Sequence, residues 1–427
     1  MRVLVIGDVG VTDETIHVGD EAMFEELVVQ LRRRGVESIS ALSSAPADTR
    51  DRYGVEALPQ IGFRFGGADA RDRMSERMRR VVRAIDDAGA ADAMDDDAPD
   101  GDAPDRDAVD GDALAPDDPA HAVIAAVRAS DAVILAGGGN LASTWPLHIF
   151  ERATLGEIAR RTGTPLFITG QTLGPALDDA DAWMLGALLD SARLVGVRES
   201  ASAALALDLG VEPDRLASNV DDASFLGVDD PVAGDAPAPF CLVTISTYSG
   251  EVSRDELVRA VALLLDEVVA STGLEIVFSA HFGSTRADVV EGDAVVHAAV
   301  AAAMTSDRYR TVAPSSAVAS AALARSAGLV LTSRYHPAVF AASAGVPTIG
   351  IPVDAYTRTK LAGALENGAQ SSVLPLDELV AGGGAELVAE VWAARAAIRR
   401  RGLAAAARSW AASQEWWDRL VAGIRGR

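Results

Sequence analysis

Apolar residues in this chain follow two recurring patterns, short dense runs and longer stretches with a single apolar face. The runs Arg2-Val-Leu-Val-Ile6, Ala132-Val-Ile-Leu135, Pro165 to Thr169 and Leu194-Val-Gly-Val197 are short, rich in β-branched residues and bounded by turn formers. They predict buried strands, and Ser38 to Leu42 predicts another. Between them, Gly19 to Arg34 carries Ala22, Met23, Leu27 and Leu31 at helical spacing. Ala122 to Arg128, Leu147 to Arg161 and Ala180 to Ala192 read as helices in the same way. Strands that alternate with helices imply a mostly parallel sheet covered on both faces.

The pattern breaks at Asp229 to Pro239, a stretch rich in Pro, Ala and Asp, and then restarts. A strand at Phe240 to Ile245 precedes a helix at Arg254 to Val269, and strands follow at Glu275 to Ser279, Gly328 to Thr332 and Pro347 to Ile351. The chain's 427 residues exceed what one compact core accommodates. The reading is an α/β protein with two Rossmann-like domains facing a central cleft, the default place for a site. The N-terminal lobe is expected over 1–229, a linker over 230–239, the C-terminal lobe over 240–385 and a helical tail over 386–427. Trp392, Trp410, Trp416 and Trp417 in the tail are expected to fasten it to the body.

Charge changes the picture in one place. The formal net charge is −24, but Asp86 to Asp118 alone holds fourteen Asp against one Arg, a local −13. Ala, Gly and Pro fill the remainder, so this segment is expected to be a disordered insertion. The acidic balance elsewhere argues against nucleic-acid binding. A single Cys241 and no Cys/His cluster of zinc spacing fit a reducing compartment without a structural metal. With no apolar run of membrane-spanning length, the expectation is a cytoplasmic protein with at most peripheral membrane association.

The candidate chemistry concentrates at Ser333-Arg334-Tyr335-His336-Pro337, between the strand ending at Thr332 and a helix over Pro337 to Ala344. Ligands of open α/β sheets bind at this edge. A guanidinium beside a titratable imidazole at a helix N-terminus suits an anionic substrate that needs a proton moved. An Arg that caps a turn beside a packed His is the alternative reading.

Several separated motifs together resemble the polysaccharide pyruvyl transferases, whose architecture is similar to that of GT-B glycosyltransferases. They are Gly19-Asp-Glu-Ala22, Gly137-Gly-Gly139, Gly170-Gln171 with Gly174-Pro175, Val197-Arg-Glu-Ser200, Asp221-Asp-Ala-Ser-Phe225, Arg334-Tyr-His336 with Phe340-Ala-Ala342, and Gly345-Val-Pro347. The resemblance implies transfer of pyruvyl from phosphoenolpyruvate onto a sugar or lipid-linked glycan acceptor, as a ketal, with no further cofactor and no metal. Arg198 and Arg334 would then bind the donor's carboxylate and phosphate, for which guanidiniums are suited. The Tyr335 amide would reach the phosphate, and His336, with Arg334, would serve catalysis as acid/base. Acceptor contacts would come from Asp20, Glu21, Gly138, Gly139, Asn140 and Gln171. For Asp20 and Glu21 the competing role is capping of a helix start. His281 also faces the expected cleft, but its motif match is poor and a packing role is expected.

The chain departs from the family pattern at His17-Val-Gly19, where Asn commonly precedes Gly-Asp, and at Thr247-Tyr-Ser249, where an Arg is common. Two alternatives stay open. A GT-B-like glycosyltransferase using a nucleotide sugar could draw on Lys360, the one lysine, and a non-catalytic glycan-binding relative could retain the fold. A dinucleotide oxidoreductase is disfavoured because Gly7-Asp-Val-Gly10 does not extend to GxGxxG. Oligomeric state is not legible.

Overall fold

The computed structural model describes residues 1–94, 113–229, 240–286, 288–314 and 316–426. Its strands are β1 (Arg2–Ile6), β2 (Thr15–His17), β3 (Ser38–Ser43), β4 (Glu56–Pro59), β5 (Ala132–Leu135), β6 (Gly138–Leu141), β7 (Leu166–Leu173), β8 (Ala192–Val197) and β9 (Leu216–Ser218). After the lobe boundary come β10 (Phe240–Thr244), β11 (Glu275–Ser279), β12 (Phe282–Ser284), β13 (Tyr309–Val312), β14 (Leu329–Thr332) and β15 (Thr348–Gly350). The first seven helices are α1 (Val18–Arg33), α2 (Pro46–Tyr53), α3 (Ala70–Met94), α4 (Pro119–Arg128), α5 (Pro146–Thr162), α6 (Asp179–Ser191) and α7 (Ser200–Asp208). The remainder are α8 (Arg254–Thr272), α9 (Asp293–Ala303), α10 (Ala317–Ser326), α11 (Tyr335–Ala342), α12 (Ala355–Asn367), α13 (Leu376–Val380) and α14 (Ala385–Arg425).

Two parallel sheets result. The first runs β4-β3-β1-β5-β7-β8-β9, with β6 paired to β7, and the second runs β13-β11-β10-β14-β15. Each has a central strand with little polar surface, such as β5 and β14, whose residues are all buried. Such strands need helices on both faces, which the alternating connections supply. Between the sheets, β12 pairs antiparallel with β2, Phe282 opposite His17, so a two-stranded ribbon ties the two halves directly. Among the described residues no helix is long and apolar enough to cross a membrane.

Two sequence expectations change. The acidic segment is not wholly irregular: residues 86–94 complete α3, Asp86 pairs with Arg161, and Asp118 caps α4 by accepting from the Ala120 amide. Residues 95–112, the rest of that segment, and the linker 230–239 lie outside the described residues. The expected loop from Gly170 is strand as far as Leu173, because β6 and β8 pair with that stretch of β7.

The tail makes one long helix that serves both halves. Early in α14, Val388, Val391 and Ile398 join the core of the second sheet. Gly402 then crosses Gly345 so closely that a Cβ on Gly402 would lie 2.5 Å from the Gly345 Cα. Gly345 itself has φ +65, which glycine adopts at no steric cost. Farther on, Trp416, Trp417, Leu420, Val421 and Ile424 pack with β1 and α1. Trp416 packs against Gly196, where a Cβ would lie 2.6 Å from its ring, donates from Nε1 to Thr169 Oγ1 at 2.9 Å and is 4% exposed. Trp416→Ala should therefore cost about 3–5 kcal/mol, the range for a truncated core aromatic, read as a lower denaturation midpoint.

Candidate active site

The strand-to-helix turn after β14 is fixed by its own hydroxyls. Thr332 Oγ1 accepts from the Arg334 amide at 2.9 Å, and Ser333 Oγ accepts from the Ser246 amide at 2.8 Å. Arg334 becomes the N-cap residue of α11, and its side chain is 27% exposed at the cleft. Asp293, wholly buried at the start of α9, takes the guanidinium bidentately, Nε to Oδ2 at 3.0 Å and Nη2 to Oδ1 at 2.5 Å. The same carboxylate accepts from the amides of His281 at 3.2 Å and Phe282 at 3.0 Å. One buried anion thus holds an arginine and a loop in register, a geometry specific to the guanidinium fork.

His336 lies one residue into α11, against the opposite lobe. A Cβ on Gly19 would sit 1.9 Å from its Nδ1, so only glycine lets the first turn of α1 approach. Its Nε2 lies 3.8 Å from Asp221 Oδ2 and has no hydrogen-bond partner among the described residues. Burial, with Arg198 and Lys360 nearby, holds the imidazole well below its usual pKa, so it is neutral at pH 7.

Arg198, delivered by β8, is fully buried and donates from Nη1 to Asp221 at 2.5 Å and from Nε to Thr172 Oγ1 at 2.8 Å. Its guanidinium lies 4.4 Å from the Tyr335 ring centroid, and Lys360 Nζ lies 5.1 Å from the same ring. Tyr335 is the first residue of α11, a position whose amide has no partner within the helix. A Cβ on Gly139 would meet Lys360 Nζ at 2.6 Å, Arg198 Nη2 at 2.9 Å and the Tyr356 hydroxyl at 2.9 Å. Two cations and a phenol, one from the end of β8 and two from α12, therefore converge on a glycine of the triple-Gly motif.

Across the cleft the acidic side divides. Asp20, at the N-terminal turn of α1, is pushed up to about 7 by burial and by Asp8, against the pull of Lys360 and Arg198. Asp8, just beyond β1, would be raised by burial, but Arg152 at 2.7 Å and His148 at 3.4 Å overcome that and hold it at about 2. Asn140 donates to Asp8 and stays half-buried. The remaining acceptor-side candidates go into scaffold. Glu21 is 2% exposed and is held by the Gly10 amide, the Tyr53 hydroxyl and Arg52, so it pins the loop before α1. Gln171 is buried and donates to the Ala136 carbonyl at 2.5 Å, while Gly138 pairs with it across β6 and β7.

The structure thus gathers Arg198, Tyr335, His336, Gly139 and Asp20, and links Arg334 to them through His281, which feels both His336 and Arg334. It adds Lys360, Tyr356, Asp8, Arg152, His148 and Asp293. Asp8 had a signal, its place just past the carboxyl end of the first strand. Arg152 and His148 are one helical turn apart on α5, a spacing that is common everywhere. Asp293 had none, because only the fold brings it to Arg334.

Two parallel-sheet lobes with cations and carboxylates between them define a GT-B-like architecture. Solved structures share it. They include UDP-GlcNAc 2-epimerase from Neisseria meningitidis bound to UDP-GlcNAc (10% identity, 94% of this chain and 94% of that one, TM-score 0.54). Anabaena Alr3699/HepE in complex with UDP and glucose is similar at 12% identity over 99% of this chain and 100% of that one, TM-score 0.56. The calicheamicin glycosyltransferase CalG4 is similar at 16% identity, 100% and 98% coverage and TM-score 0.54. Among curated proteins none matches this chain. The sequence matches the polysaccharide pyruvyl transferase family over residues 17–355, and the chain belongs to that family.

The raised Asp20 has a signed consequence. Its folded pKa of about 7 exceeds the usual carboxyl value, so the folded state binds more protons between about pH 4 and 7. Stability from this group is present at low pH and lost as pH rises through that window. Asp20→Asn should flatten that part of the stability profile, measured by chemical denaturation at a series of pH values.

Proposed function

We propose that this transferase moves pyruvyl from phosphoenolpyruvate onto a sugar of a cell-envelope polysaccharide or its precursor, in the cytoplasm, forming a ketal across two hydroxyls. The observation that carries the reading is the convergence of Arg198 and Lys360 on Gly139, beside the neutral His336. Backbone can approach at that glycine, and two cations there suit the donor's phosphate. Arg334, whose Nε and Nη2 are braced by Asp293, would turn the Nη1 side of its guanidinium to the donor's carboxylate.

In the reaction the methylene carbon gains a proton and becomes methyl, and the adjacent carbon acquires oxocarbenium character. One sugar hydroxyl attacks that carbon, phosphate leaves with its bridging oxygen, and a second hydroxyl closes the ketal. The two hydroxyl protons balance the one added to carbon and the one carried off by phosphate. His336 supplies the acid. Its imidazole is held neutral by burial, Arg198 and Lys360, and an anion laid on those cations would cancel their repulsion and raise its pKa. Asp20, with a pKa near 7 and at the acceptor side of the cleft, is suited to take a proton from a hydroxyl.

A nucleotide-sugar reading has one support, that the Neisseria and Anabaena proteins are bound to UDP-GlcNAc and to UDP with glucose. Calorimetry with phosphoenolpyruvate beside UDP and UDP-sugars separates the two. Saturable binding of phosphoenolpyruvate is expected, weakened roughly 10–100-fold in Lys360→Met and Arg334→Ala by loss of a charge-assisted contact. Proton uptake on binding, read from buffers of different ionisation enthalpy, should shrink in His336→Asn. Binding of a UDP-sugar with none of phosphoenolpyruvate overturns the proposal in favour of glycosyl transfer.

A further inference from the structure

His281 ends the turn after β11 and is 5% exposed, yet among the described residues neither of its ring nitrogens has a hydrogen-bond partner. Leaving a buried polar group unmatched is costly, and native folds keep few such groups. The surroundings fix this ring rather than satisfy it. Its amide donates to Asp293, its carbonyl accepts from the Val18 amide at 3.0 Å, and its ring lies 6.2 Å from Phe340. The His336 ring lies 5.9 Å from that same Phe340. The ring is therefore held between the Arg334 clamp and the His336 pocket, with both nitrogens unspent.

A second buried imidazole differs in this respect. His297 Nε2 accepts from the Ile245 amide at 2.9 Å, which accounts for one of its two nitrogens as a structural bond. His281 has no such bond. Burial, with the Arg334 charge nearby, keeps the ring neutral, its pKa held down to about 3. A neutral imidazole offers one donor and one acceptor and adds no charge to a site already supplied with arginines.

We propose that His281 is a donor-site residue, a neutral hydrogen-bond donor to the anionic group of the substrate that Arg334 binds. It deepens, and rests on, the phosphoenolpyruvate reading. The arrangement gives that group a fixed cation and a fixed neutral donor, both referenced to Asp293, so its orientation and not only its charge is selected.

The test compares His281→Phe and His281→Asn with the wild-type chain. Phe fills the site without polar atoms, so a packing role predicts unchanged function. On the proposal, His281→Phe keeps or raises the melting temperature while phosphoenolpyruvate affinity by calorimetry falls about tenfold or more. His281→Asn, which retains a neutral donor, recovers part of that loss. Wild-type affinity in His281→Phe would overturn the proposal and leave the phosphoenolpyruvate reading standing. Absence of phosphoenolpyruvate binding by the wild-type chain would overturn both.

Discussion

The buried contact between Arg198 and Asp221 is what the rest of the site is built on. Both side chains are about 1% exposed, and a charge in that position is tolerated only when fully paired. The pairing is thorough. Asp221 also caps its own short helix through the Ala223 amide, and Arg198 spends Nε on Thr172 and its face on Tyr335. Its carbonyl accepts from Asn367 at the end of α12, so the ion pair of one lobe is locked to two helices of the other. Removing either partner would strand the other charge, a loss of about 3–5 kcal/mol in comparable buried pairs.

From that anchor the cleft takes its shape through close approach rather than bulk. Gly19 lets α1 reach His336, Gly139 lets the triple-Gly strand reach Lys360 and Arg198, and Gly363 sits where a Cβ would lie 2.4 Å from Glu199 Cγ. Of these contacts, Gly19 with His336, Gly139 with Lys360 and Gly363 with Glu199 cross from one lobe to the other. The β2–β12 ribbon adds backbone hydrogen bonds to the same seam, and the Val18 amide bonds to the His281 carbonyl beside it. Among the motif glycines, Gly19 and Gly139 thus mark where the two halves touch.

Much of the architecture was legible because period and turn chemistry point the same way. The runs at Arg2–Ile6 and Ala132–Leu135 could only be buried strands, and the helical period of α1 is plain. Short edge elements were not, since β4, β9 and β13 carry three or four residues each, too few for a period to register. The site divided along a similar line. Residues at strand ends, such as Arg198 and Arg334, announced themselves through position. Glu21 and Gln171 shared those positions, yet local partners claimed them, and no sequence pattern says whether a carboxylate will find Tyr53 or a ligand. His281 is the opposite case: its motif match is poor, yet among the described residues the fold gives its ring nitrogens no partner.

Charge gives the arrangement its logic on the phosphoenolpyruvate reading. A site that binds a substrate with two anionic groups must hold cations close together, and those cations oppose protonation of any imidazole among them. His336 shows that opposition directly, through Arg198 and Lys360. The opposition is useful. Until an anion offsets the cations the ring has no proton to give, so the acid forms only once the donor that needs it is seated. Asp20 is tuned in the opposite sense, by its own burial first and then by its acidic neighbour Asp8, which together raise its pKa toward neutrality. A depressed imidazole and an elevated carboxyl thus face each other from the two lobes, and it is the donor's anions that would bring the imidazole back up toward the pH near 7 at which Asp20 titrates.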